Sequence, residues 1–187
     1  MTKLGNRTIV KALKTLGARL APNRQIEILL VGGAAGVLIG ALPAAWTTAD
    51  VDVLDVQAAK DRDVVLEAAA VVALQLSLPN DWLNDWSGLY SWTLPDGWHK
   101  RRCHVGTFGP LVVYAASRLD LIAMKFMAHR PGDLEHLEQM KLGNDDLKFA
   151  RKYLDSCAKR YREGRDSEKA RQIAMARQYL DAWEARS

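Results

Sequence analysis

Cysteine is scarce in this chain. Its two cysteines, Cys103 and Cys157, lie far apart among 187 residues, with no CxxC and no metal-type histidine spacing near either. That excludes a disulfide framework or a cysteine-built zinc site, and it fits reduced thiols in a cytoplasmic protein. A strong charge of one sign is also missing. Lys and Arg number 26 against 22 Asp and Glu, for a net charge of +4. This mild excess suits a protein that handles phosphate without requiring a nucleic-acid partner. There is no internal repeat and no low-complexity stretch. Lys3, Arg7, Lys11 and Lys14 are not followed by a continuous apolar segment, so no secretory leader is expected. The longest apolar run, 28–46, is interrupted by Gly32, Gly33, Gly36, Gly40 and Pro43. A strand, a glycine turn and a helix account for it better than a membrane span does.

What is present is globular: 49% apolar and 26% charged residues, enough to build a core without staples. Apolar spacing predicts a first helix over 8–20, stopped by Pro22 and Asn23. A β-branched and leucine run predicts a buried strand over 26–31, entering a turn at Gly32-Gly33. A small-residue helix is expected over 34–42, a strand over 49–56, and a helix over 58–76. The aromatic segment 78–97 reads as irregular. Short strands are expected at 102–105 and 111–115 around a turn at 106–110. A helix from Ser117 to His129 follows, with Asp120 placed to complete a capping box. Helices over 133–140, 145–162 and 167–185 close the chain. This order predicts an α+β protein, a small mixed β-sheet flanked by helices with a C-terminal helical extension. The expected division is 1–140 for the sheet-bearing domain and 141–187 for the extension packed on it.

One constellation carries chemistry: strand, Gly32-Gly33, helix, then Thr48-x-Asp50-x-Asp52 on the next strand. Glycines after a strand let the main chain approach a phosphate closely. The helix behind them offers unpaired N–H groups to the same anion. Carboxylates two residues apart on a strand share a face, and hard divalent cations such as Mg²⁺ take such oxygen ligands together with substrate phosphate oxygens. The glycines lack the GxGxxG spacing of a dinucleotide fold. Two solvated acids beside an ordinary turn is the plain alternative, and the short interval between the two features is what favours the chemical one. The tryptophan-rich loop also has two readings, a base-stacking wall or a loop pinned to the core by its indoles, and the second is preferred.

The runs LLVGGAAGVLIG and TTADVDVLDV resemble the nucleotidyltransferase superfamily, marked by a Gly-Gly or Gly-Ser turn followed by a DxD strand. LPNDWLND and SRLDLIAMKFMAHRPGDLEHL extend the likeness to bacterial nucleotidyltransferase-like proteins related to the abortive-infection and type IV toxin–antitoxin group. The resemblance covers about 26–137. It implies a nucleotidyltransferase fold and a Mg²⁺-dependent transfer of a nucleoside monophosphate from a nucleoside triphosphate to an RNA or protein acceptor. A cytoplasmic setting, a cognate toxin or antitoxin partner and no membrane go with it. On that resemblance Gly32 and Gly33 line the triphosphate, Asp50 and Asp52 are catalytic and hold the metal, and Thr48 either binds phosphate or braces the strand. Lys125 matches a lysine that reaches nucleotide phosphate, and Arg130 and Asp133 match a pair that shapes the pocket.

The sequence departs from the superfamily in one respect that bears on activity. A third carboxylate is expected from a later strand, and 102–115 contains no Asp or Glu. Strict alternation puts Asp55 on the face opposite Asp52, and Asp96 precedes the strand. Asn84 and Asp85 remain as loop residues that can face the cleft. A basic residue expected near Thr48 is replaced by Trp46. A catalytically inactive binding protein of the same fold, antitoxin-like, is therefore the rival reading, and a basic C-terminal face that binds nucleic acid is the third.

Overall fold

A computed structural model describes residues 3–56, 59–161 and 166–186. The expected helix ends at Ala58 and Arg162 lie outside the described residues. The chain divides into two compact units, one of residues 1–92 and 99–117, the other of 93–98 and 118–187.

The first unit is built on a five-stranded mixed sheet in the order β3-β2-β1-β5-β4. Its strands are β1 (Ile26–Val31), β2 (Val51–Val56), β3 (Leu83–Asn84), β4 (Cys103–Phe108) and β5 (Leu111–Ala115). β1 is antiparallel to β2 and parallel to β5, β3 is parallel to β2, and β4 is antiparallel to β5. Three helices belong with it: α1 (Asn6–Gly17), α2 (Gly32–Leu38) and α3 (Ala59–Leu76), and a one-turn α4 (Trp98–Arg101) precedes β4 in the chain. In α1 the residues Ile9, Leu13 and Leu16 are fully buried at helical spacing, each contributing on the order of 1.5–3 kcal/mol of burial. Gly17 ends that helix against β4. A Cβ there would lie 1.9 Å from the Phe108 carbonyl oxygen, so only glycine permits the approach.

The elements fall close to the sequence expectation, with three informative differences. The glycines are not a separate turn, because Gly32 and Gly33 are themselves the first residues of α2, which is seven residues long. The hairpin turn is confined to Gly109-Pro110, so β4 runs through Gly106 to Phe108. The aromatic segment contains β3 and a 3₁₀ stretch, Trp86–Thr93. Trp82 explains how β3 is placed. Its side chain is fully buried, its indole N–H donates to the Ala69 carbonyl of α3 at 2.9 Å, and its own carbonyl accepts from Val51 N–H at 2.7 Å. Among the described residues no helix is long and apolar enough to cross a membrane.

The second unit gathers α5 (Arg118–Ala128), α6 (Pro131–Met140), α7 (Asn144–Arg160) and α8 (Ser167–Glu184) with the segment 93–98. Phe126 of α5 meets Tyr179 and Trp183 of α8 at ring-centroid distances of 5.7 and 6.0 Å. The Tyr153 hydroxyl of α7 donates to the Thr93 carbonyl at 2.7 Å. α7 and α8 are also joined by Arg151 to Asp181 and Glu184, both at 2.6 Å, and by Arg177 to Asp155 at 3.1 Å. Arg160 pairs with Asp96. Much of the basic C-terminal segment is thus matched with acids instead of forming a uniform positive face. Cys103 and Cys157 are free thiols.

Candidate active site

The register of β1 on β2 creates the site. Val31, the last residue of β1, lies opposite Asp52. The next residue, Gly32, is therefore delivered to the Asp52 carboxylate. Its φ is +70°, and a Cβ at this position would stand 2.4 Å from Asp52 Oδ2. Both the left-handed backbone and the close approach require glycine. Asp50 immediately precedes β2, and both Asp50 and Asp52 are half-buried. Thr48 lies just upstream, where its N–H and carbonyl make a two-way bridge with Leu4 at 3.0 and 2.7 Å. The backbone of Thr48 thus braces the entry to the carboxylate pair, and fully buried Leu4 anchors that bridge.

Asn84 is the residue that sequence reasoning underweighted. β3 places it directly beside Asp52. It is only 4% exposed. Its side-chain NH₂ donates to Asp50 Oδ2 at 3.3 Å, and its side-chain oxygen accepts from Trp86 N–H at 3.2 Å. Both ends of the amide are used, so its donor end is fixed toward the carboxylate pair. The strand next to the DxD strand thus presents an amide to the carboxylate pair, while β4 and β5, where a third acid was sought, carry none. A two-residue strand has no periodicity to reveal it, so the sequence marked Asn84 only as a loop residue that can face the cleft.

Asp55 requires a correction. The β1–β2 ladder slips between Leu29 and Leu30, so that Leu29 pairs with Asp55 while Leu30 pairs with Val53. Leu54 is the extra residue of a bulge. Leu29 and Val31 share one face of β1, so their partners Asp55 and Asp52 share a face of β2, contrary to strict alternation. Asp55 is exposed. Among the described residues no three His, Cys, Asp or Glu side chains gather closely enough to hold a metal by themselves. The donor set here is two half-buried carboxylates, with the main chain of Gly32 packed directly against Asp52. Such a set fits a hard cation that takes its remaining ligands from water and substrate oxygens.

The other residues singled out in the sequence lie in the second unit. Lys125 on α5 is 4% exposed. Its ammonium pairs with Asp133 Oδ1 at 3.2 Å and donates to His136 Nδ1 at 2.5 Å. Arg130 Nε pairs with Asp133 Oδ2 at 2.9 Å, and Arg130 N–H donates to the same oxygen at 3.3 Å. Burial by itself raises the Asp133 carboxyl, but the hydrogen bond from Arg130 and the charges of Lys125 and Arg130 outweigh it and hold it below the usual range. Burial, then the Lys125 charge, push His136 down to about 4, so the ring is neutral near pH 7 and can accept from the ammonium. The structure therefore gathers Gly32, Gly33, Thr48, Asp50 and Asp52 in one unit and Lys125, Arg130 and Asp133 in the other.

A strand, a glycine pair opening a helix, and paired carboxylates on the adjacent antiparallel strand together define a nucleotidyltransferase-like core. The chain belongs to the family described as nucleotidyltransferase of unknown function (DUF6036), which matches residues 8–182. No curated protein and no solved structure matches it.

Proposed function

We propose that the chain is a Mg²⁺-dependent nucleotidyltransferase that moves a nucleoside monophosphate from a nucleoside triphosphate to an RNA or protein acceptor. The observation that carries this reading is the contact between Gly32 and Asp52, which brings a main chain free of Cβ against one carboxylate of a pair. In the reaction an acceptor oxygen forms a bond to the α-phosphorus, the bond to the pyrophosphate oxygen breaks, pyrophosphate leaves, and the acceptor proton passes to solvent. Asp50 and Asp52 would hold Mg²⁺, which when bound supplies charge neutralisation at the phosphates. The main chain of Gly32 and Gly33 would line the triphosphate beside those carboxylates. Thr48 keeps the approach to β2 in place. Asn84 orients Asp50. For Lys125 the ion pair with Asp133 and the hydrogen bond to His136 support a structural duty in its own helical unit. A toxin–antitoxin or phage-defence setting accompanies this reading on the resemblance described above.

Asn84 favours a second reading, a nucleotide-binding protein without turnover, because an amide takes up no proton from an acceptor hydroxyl. The two readings separate in one experiment. Mg²⁺-dependent binding of each of the four nucleoside triphosphates is measured by calorimetry, followed by transfer of α-labelled phosphate, for the wild type and the double variant Asp50→Ala/Asp52→Ala. Metal-dependent binding and transfer, both lost in the double variant, support the transferase. Binding without transfer supports the second reading. Full activity in Asp52→Ala refutes the assignment of the carboxylates.

A further inference from the structure

Trp86 is the one tryptophan of the six whose side chain is left in solvent. It is 64% exposed, Trp82 is fully buried, and Trp46, Trp92, Trp98 and Trp183 are half-buried. An indole is a large apolar surface to leave hydrated, and the segment carrying it is not loosely held. Trp86 N–H donates to Asn84 Oδ1 at 3.2 Å. Ser87 Oγ donates to the Val53 carbonyl of β2 at 2.9 Å, and Gly88 N–H donates to the Asp85 carbonyl at 2.9 Å. Asp85 is in turn ion-paired with Arg62 of α3. The backbone under the indole is therefore fixed to the strand that follows Asp50.

The same Asn84 amide makes both links. Its NH₂ end donates to Asp50 and its oxygen end accepts from Trp86. One buried side chain thus spans the distance between the carboxylate pair and the root of the exposed ring. An exposed aromatic side chain on a backbone anchored to the strand that follows Asp50 matches a molecule with a charged end and a flat end.

We infer that Trp86 is the platform on which the nucleobase of the triphosphate stacks, with Asn84 as the positioning residue that sets the ring relative to Asp50. This rests on the nucleotide reading proposed above and adds the residue that recognises the base. Stacking on an aromatic face is tolerant of base identity, because every base offers a π-face. The ring accordingly supplies affinity for nucleosides over bare polyphosphate, with modest preference among the four bases.

The test compares Mg²⁺-dependent binding of ATP, GTP, CTP and UTP with that of inorganic tripolyphosphate, for wild type, Trp86→Ala and Trp86→Phe. Because the indole is exposed, both variants are expected to fold, and circular dichroism verifies this. Trp86→Ala is expected to weaken nucleoside triphosphate binding about 5- to 100-fold, in line with the loss of one base–aromatic stack, and to leave tripolyphosphate binding unchanged. Trp86→Phe is expected to restore most of the loss. Equal weakening of tripolyphosphate and nucleotide, or no weakening of either, overturns the stacking role while leaving the carboxylate site standing. Failure of the wild type to bind tripolyphosphate and nucleotides alike overturns both readings together.

Discussion

A methyl group at Gly32 would carry two separate costs. The backbone there sits at φ +70°, where a Cβ is strained by about 1–2 kcal/mol, and the added carbon would lie 2.4 Å from Asp52 Oδ2. The carboxylate has to move or the end of β1 has to unwind. Gly32→Ala is therefore expected to lower unfolding free energy by about 1 kcal/mol or more and to abolish metal-dependent nucleotide binding, although both aspartates remain. Denaturant titration and calorimetry on the same variant check the two effects, and retained nucleotide affinity counts against the site as drawn. At this scale the sequence was informative where chemistry and spacing coincide. Gly32, Asp50 and Asp52 stood out because a glycine pair and a DxD have few other joint uses. Asn84 was named only as a loop residue that can face the cleft, because its role comes from the strand beside it. Asp55 was assigned the opposite face because nothing in Val53-Leu54-Asp55 marks a bulge; no glycine or proline flags it.

Among the elements, β3 is the smallest and the most exposed to loss. Two residues of ladder cannot hold an edge strand in water, so its position depends on Trp82 before it and the 3₁₀ stretch after it. Trp82→Phe removes the bond to the Ala69 carbonyl and leaves a cavity where the larger indole was fully buried; a loss of about 2–4 kcal/mol is expected. Metal-dependent binding should fall as well, because Asn84 is held on the same strand. Unchanged nucleotide affinity in a destabilised Trp82→Phe would show that β3 does not position the site. The strand 26–31 was legible because it reads as a β-branched and leucine run broken only by Glu27, and the long helices because their apolar spacing is regular. The short helix after the glycines was expected two residues too late, since glycine is a poor helix residue and the Gly32-Gly33 pair reads as a turn. The C-terminal helices were found without their partners. Nothing in 93–98 announces that Thr93 accepts from Tyr153.

For the molecule as a whole, His136 and Asp133 make stability depend on pH. His136 titrates near 4 in the fold and near 6.5 when unfolded. Between these values the unfolded chain binds the extra proton, so stability rises with pH across that window and falls on acidification from about 6.5 to 4. Asp133 adds a second loss at lower pH, because its lowered carboxyl stabilises the fold above the unfolded value and ceases to do so as it protonates. Unfolding free energy measured at pH 7, 5.5 and 4 is expected to fall steadily in the wild type. His136→Gln, which still accepts from Lys125, is expected to flatten the upper part of that curve and leave the lower part intact. An unchanged slope in the variant would assign the acid sensitivity elsewhere.

The strand order has a consequence for how the chain assembles as it is made. β1 pairs on one side with β2, which follows it closely, and on the other with β5, whose residue Leu111 meets Ile26 across a long stretch of chain. Loop closure over a short separation is entropically easier than over a long one. During synthesis the antiparallel pair of β1 and β2 can close, setting Gly32 against Asp52, while β5 has yet to leave the ribosome. Until it arrives, the far edge of β1 offers bare N–H and C=O groups to any strand nearby. The nascent chain therefore acquires its two carboxylates early and its protection against aggregation late.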